Sequence, residues 1–195
     1  MNVVRLFSCA LSFAAMGCTA EVTPSEDLAA LDARALSSGC APSVPEAIRV
    51  PAGNKLAFDA DAEGVQIYSC QLAADGSGAA AWTLKAPDAT LYGKRHRVLG
   101  THYAGPTWEA LDGSTVVGAR VAGVTPDASA IPWLLLSAAS NSGDGLMSKV
   151  TFIQRSNTSG GLAPQSGCDA NRLGTEIEIA YTATYNFYRA SGRRH

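Results

Sequence analysis

None of the signatures from which catalysis is usually read is present in this chain. It contains no G-x-S-x-G, no H-E-x-x-H and no phosphate-binding P-loop. It also has no C-x-x-C pair, so a cysteine-ligated zinc is not expected. No repeat of fixed period is present, which sets aside solenoids and propellers. No apolar run reaches the roughly 20 residues of a membrane-spanning helix. Basic residues are not in surplus: 15 Lys and Arg face 17 Asp and Glu, for a formal net charge of −2. Nucleic-acid binding is dominated by phosphate neutralisation, so this balance argues against a nucleic-acid partner. The basic clusters Lys94–Arg97 and Arg193–His195 read as a solvated edge and a terminal tail.

The N-terminus carries an export pattern. Arg5 precedes an apolar stretch from Leu6 to Met16, the charged and hydrophobic regions of a secretory signal. Two processing sites are open. Ala15-Met16-Gly17-Cys18 resembles a lipobox, with Cys18 lipidated, although Ala15 stands where leucine is usual. Alternatively, cleavage follows the small residues of Cys18-Thr19-Ala20. We favour lipidation of Cys18, which makes 1–18 a lipoprotein-type signal and ties the chain to a membrane surface without crossing it. The expected location is an outer-membrane lipoprotein, or a periplasmic or extracellular protein of a bacterium.

Residues 19–44 read as a tether with one short helix. It starts at Thr23–Asp27 and carries a weak stripe of Leu28, Leu31 and Leu36. From 45 to 189 the pattern is that of strands, and 190–195 is a tail. Nineteen glycines and nine prolines supply the turns. Val65–Cys70 alternates strictly, and Asp112-Gly113 marks a hairpin. Ile131–Ala138 is apolar on both faces. Glu176–Tyr188 places Ile177, Ile179, Tyr181, Ala183, Tyr185 and Phe187 on one parity against Glu176, Glu178, Thr182 and Thr184 on the other. About ten short strands without a strong helix predict an all-β domain, an antiparallel β-sandwich or barrel.

Past the signal three cysteines remain: Cys40, Cys70 and Cys168. An exported domain favours a disulfide. Three pairings are open, because Cys40 could also reach Cys168. Cys70 with Cys168 is preferred, since both lie in or beside the folded body.

Several segments carry side chains capable of chemistry. His102-Tyr103-Ala104-Gly105-Pro106-Thr107-Trp108-Glu109 is the densest. His102 and Glu109 in one pocket would suit acid/base work. Tyr103 and Trp108 would stack on a sugar or another flat ligand. Against this, Trp108 in the core and His102 bonded to backbone would be ordinary packing. His96 and His102 as a metal pair are weakened by Gly100 between them. Asp59-Ala60-Asp61-Ala62-Glu63-Gly64 imitates the start of a calcium loop but has Cys70 where a bidentate glutamate belongs, so it reads as an acidic turn between strands. No metal site and no cofactor are expected. Gln154–Gly161 reads as a strand end entering a Gly-rich loop, which could offer N–H groups to an anion beside Arg155 or be a plain loop.

Several ordered blocks carry a family resemblance. They are Gly64–Cys70, His102–Glu109 with Asp112-Gly113-Ser114, Ile131–Leu136, Ile153-Gln154-Arg155 with Thr158–Gly161, and Tyr181–Tyr188. Over about 45–189 the chain resembles an exported single-domain bacterial and fungal family of unknown function. The resemblance implies secretion and one domain, and carries no activity or site residue. Some fungal members bear a malate dehydrogenase label, which an all-β pattern does not support because it offers no dinucleotide fold. The sequence therefore points first to a tethered binding module for a carbohydrate or small molecule. The alternatives are a hydrolase or lyase using His102 and Glu109, with Arg155, and a structural envelope protein.

Overall fold

The computed structural model describes residues 42–73 and 76–192. The signal, Cys18, the tether helix and Cys40 lie outside the described residues. Eight strands follow one another: β1 (Asn54–Leu72), β2 (Ala80–Gly93), β3 (Arg97–Tyr103), β4 (Thr107–Ala110), β5 (Thr115–Val124), β6 (Trp133–Ser142), β7 (Val150–Gly160) and β8 (Glu176–Ala190). Each pairs antiparallel with its sequence neighbour, and β8 returns to pair with β1. The domain is all-β, and of sandwich and barrel it is the closed barrel. Closure removes both edges of this sheet, so none of its eight strands is left to pair with another chain.

The expectation of about ten strands is corrected to eight. Residues 54–58 and 65–70, read as separate strands, are two parts of the 19-residue β1. The acidic turn expected between them, Asp59–Gly64, is the middle of that strand. Asp59, Asp61 and Glu63 face solvent, while Ala60 and Ala62 are buried in the barrel. Small residues belong there because β8 brings large ones. Ala60 pairs with Tyr185, and Gly64 pairs with Tyr181. A small residue on one strand makes room for a ring on the next, which is how a narrow barrel is filled. The polar loop expected after Gln154 is also mostly strand. β7 runs to Gly160, with Asn157 at φ 50° where its register against β8 shifts.

The long alternating stretch of β8 behaves as its parity requires. Tyr181, Ala183, Tyr185 and Phe187 are buried inside, with Leu91, Trp108, Val116, Leu136 and Ile153 from other strands. Each fully buried large side chain of this kind contributes about 1.5–3 kcal/mol. Close backbone approach fixes one glycine. A Cβ at Gly100 would collide with the Glu109 carbonyl oxygen on β4, so only glycine lets β3 and β4 lie this close.

One end of the barrel is a floor. Segment 143–149 folds across it and buries Met147 completely. Leu146 N–H donates to Asp112 Oδ2 at 2.8 Å, and Met147 N–H donates to Ser114 Oγ at 2.9 Å. The Ser114 hydroxyl, with the Leu146 and Ser114 backbone N–H groups, holds the Asp112 carboxyl below its ordinary pKa. The Asp112-Gly113 hairpin is thus also the latch for the floor.

The other end is bordered by the β3–β4 turn, the segment before β6 and the long connection 161–175. That connection is fastened to the rim. Cys70 and Cys168 form a disulfide. Trp82 Nε1 donates to Ser166 O at 2.9 Å, and the Tyr68 hydroxyl donates to Gly161 O at 2.6 Å. Gly174 N–H donates to Cys70 O at 2.9 Å, extending the hold to the end of the loop.

Candidate functional site

The barrel is not filled to the rim. Above Trp108 lies a cavity of about 610 Å³, walled by β1, β2, β5, β6, β7 and β8 and by the β3–β4 hairpin. An eight-stranded barrel is wide enough either to be packed solid or to hold one small ligand, and this volume lies within the usual range of ligand pockets.

The deep wall is aromatic. His102 on β3 sits opposite Trp108 on β4 in the strand register. Their rings stack at 4.3 Å with planes 8° apart. Tyr185 meets both edge-on, at 5.1 Å and 5.3 Å. Gly118 on β5 admits the indole, since a Cβ there would stand 2.9 Å from Trp108. His102 Nδ1 lies 2.8 Å from Thr107 O. A carbonyl only accepts, so Nδ1 carries the proton of the neutral ring and Nε2 is left as an acceptor. Burial drives the His102 pKa down to about 3 against the pull of that bond, and the positive charge of Arg155 lowers it further. His102 is therefore a neutral imidazole at ordinary pH.

Arg155 reaches the same cavity from β7. Its Nε and Nη2 donate to Pro132 O at 3.0 Å and 2.8 Å, which fixes the guanidinium against the β6 entrance. Burial raises the Tyr185 phenol pKa, and Arg155 partly offsets that. The Tyr185 hydroxyl lies near both the Tyr181 hydroxyl and the Arg155 guanidinium, without an ideal hydrogen-bond geometry to either. Trp108 Nε1 and Gln66 Nε2 are likewise buried without a protein partner. Leaving such a group unpaired costs about 1–3 kcal/mol; these atoms have almost no accessible surface, so they are sealed behind the lining rather than presented to the cavity.

The charges of the lining are of one sign. Lys85, Arg120 and Arg155 border the cavity, and no Asp or Glu does. Lys85 is engaged by Glu176 at 2.6 Å on the exposed rim. Arg155 has no carboxylate partner among the described residues.

The residues singled out from the sequence divide between the two faces of the barrel wall. His102, Trp108 and Arg155 come together inside. Glu109 does not join them: it follows Trp108, which is opposite His102, and so points outward. There its Oε2 accepts the Tyr103 hydroxyl at 2.7 Å. Tyr103, 37% exposed, is likewise on the outside and does not share a ligand face with Trp108. His96 is stacked on Tyr92 at 4.0 Å near the opposite end of β3, apart from His102. Among the described residues no group of three or more His, Cys, Asp or Glu could hold a metal ion. Sequence reasoning did not pick out Gln66, Tyr68, Tyr185 or Arg120 as lining residues. For β1 a signal existed: Val65 and Ile67 face outward while polar Gln66 and Tyr68 face inward. That reversed polarity marks a barrel that encloses a cavity at this level rather than a dry core.

Residues 51–189 match the family model described as protein of unknown function (DUF3455). The chain belongs to the DUF3455 family. The match spans every strand of the barrel. In this DUF3455 domain it includes the whole cavity wall, from Gln66 to Tyr185, so the site lies within the family's own fold. No curated protein and no solved structure matches the chain.

Proposed function

We propose that this DUF3455 protein is a small-molecule-binding barrel that takes its ligand through the disulfide-bordered mouth. One observation carries the reading: the closed barrel holds an aromatic-walled cavity of about 610 Å³ that opens between its rim loops. Closed barrels of this size that serve only as scaffolds fill their interiors with side chains. The hydrolase or lyase reading has less support. His102 and Glu109 lie on opposite faces, and a histidine with a pKa of about 3 gives poor acid/base service near neutrality.

Leu134 lies on the wall at the edge of the core and is only half-buried, so a larger side chain there occupies the cavity. A thermal-shift screen of small amphipathic molecules should yield hits that raise the melting temperature of the wild type. Leu134→Trp should keep the melting transition and lose the hits. Equal hits on both proteins would place binding elsewhere and sink the reading.

The setting we propose is outside the cytoplasm, attached to a membrane surface through lipidated Cys18. Its support is the N-terminal sequence pattern together with a disulfide of the kind kept in oxidising compartments. Intact mass of the mature protein tests it. A diacylglyceryl-modified chain starting at Cys18 is expected, and an unmodified chain starting after Ala20 would remove the anchor.

A further inference from the structure

Resting on the binding-barrel reading, we propose that the ligand is a hydrophobic monocarboxylate, its carboxylate held by Arg155 and its apolar body lying against Trp108, Leu134 and Leu136. Two independent features of the cavity converge on that chemistry. The charged residues on its wall are cations only, in a chain whose formal net charge is −2. The remaining surface is aromatic, leucine and proline, which stabilises a non-polar body in proportion to the area it covers.

The charge of the guest follows from the count of cations at depth. Lys85 is spent on Glu176, and Arg120 is exposed at the rim. His102 is neutral, because its ring is sealed against Trp108 and Tyr185 with Arg155 the nearest charge. Arg155 alone remains inside. This half-buried guanidinium balances one negative charge; with Nε and one Nη2 hydrogen held by Pro132 O, its Nη1 and Nη2 end is left to face a carboxylate in a bidentate pair. A phosphate dianion would bring a second charge with nothing to offset it. The way out is also apolar. Leu84 and Leu162 border the cavity and are 52% and 38% exposed, so a chain too long for the interior would lie across them.

The experiment is a fluorescence titration of the full folded protein with 1-pyrenebutyrate, with its neutral counterpart 1-pyrenebutanol and with inorganic phosphate as competitor. The acid should bind at least about tenfold more tightly than the alcohol, the discrimination expected of a buried charge-assisted pair. Arg155→Met keeps the apolar stem and removes the fork. It should weaken the acid about tenfold or more and leave the alcohol within about twofold. Arg155→Lys keeps the charge and should recover part of the affinity for the acid. This second variant, with the acid-to-alcohol comparison on the wild type, decides the matter if Arg155→Met does not fold. Acid and alcohol binding the wild type equally would overturn the carboxylate assignment while leaving the binding barrel standing. So would displacement of the acid by millimolar phosphate. If neither pyrene compound nor any screened molecule binds, and Leu134→Trp behaves as the wild type, the barrel reading falls and this inference with it.

Discussion

Removing the disulfide, as Cys70→Ala with Cys168→Ala, is expected to cost about 3–5 kcal/mol of stability and to lower the melting temperature by roughly 10–15 °C. The bond joins residues 98 apart in sequence, and a loop of that length carries nearly the largest chain-entropy effect a single crosslink can have. The bond encloses β2 to β7, with both cysteines just before or within the rim, so the unfolded chain gains most of its lost freedom when it is cut. In the folded state the damage should be local. Cys168 sits in the connection 161–175, whose other fastenings are single hydrogen bonds such as Trp82 Nε1 to Ser166 O. Limited proteolysis of the variant should therefore cut within 161–175 first and leave the floor around Met147 intact. Calorimetry with and without reductant gives the same comparison on the wild type. A melting temperature that moves by less than a few degrees would mean that the hydrogen bonds alone define the loop.

That loop illustrates how much of the molecule could be read from its sequence. Cys70 and Cys168 both fall in or beside the β-rich body, which favours their pairing, and the disulfide joins them. β8 was legible because Tyr181, Tyr185 and Phe187 keep one parity, and a half-buried strand has that period. The extent of β1 was not legible. Its interior positions are Ala60, Ala62 and Gly64, which carry no hydrophobic contrast against the acidic residues between them. They are small because Tyr181 and Tyr185 lie across the ladder, and that fact belongs to a partner more than 100 residues away. Sandwich and barrel stayed undivided for the same reason: closure rests on β1 pairing with β8, a contact between the two ends of the domain. The site divides along a shorter range. His102, Trp108 and Arg155 meet because each has the inward parity. Proximity in sequence groups Glu109 with His102, but a hairpin that sets 102 opposite 108 must turn 109 to the other face. Local pattern thus determines the face of a residue once the register is known, and register is what a lone sequence withholds.

His102 should make the barrel acid-sensitive. Its pKa is about 3 in the folded protein against 6.5 for an unburied histidine, so between those values the unfolded chain binds a proton that the folded chain refuses. Stability rises with pH wherever the unfolded state holds more protons. The contribution of His102 is therefore complete above about pH 6.5 and is lost as the pH falls toward 3, at up to about 1.4 kcal/mol per pH unit. From pH 7 to pH 4.5 the loss should reach about 2–3 kcal/mol. The groups around the ring offer no escape from this. Trp108 and Tyr185 are uncharged, Thr107 O is already bonded to Nδ1, and Arg155 repels an imidazolium. His102→Asn places an amide donor near Thr107 O and cannot titrate in this range. It should be less stable than the wild type at pH 7, because the stack on Trp108 is lost. The gap should narrow by about 2–3 kcal/mol at pH 4.5, since carboxylates elsewhere titrate alike in both proteins. Urea denaturation of the two proteins at pH 7 and pH 4.5 measures it. Parallel losses in wild type and variant would show that the acid response comes from other groups and that the imidazole is reached by water. The same residue then links stability to occupancy. A carboxylate seated on Arg155 would neutralise the charge that helps to keep His102 unprotonated, so a bound acid should protect the wild type at pH 4.5 more than it protects His102→Asn.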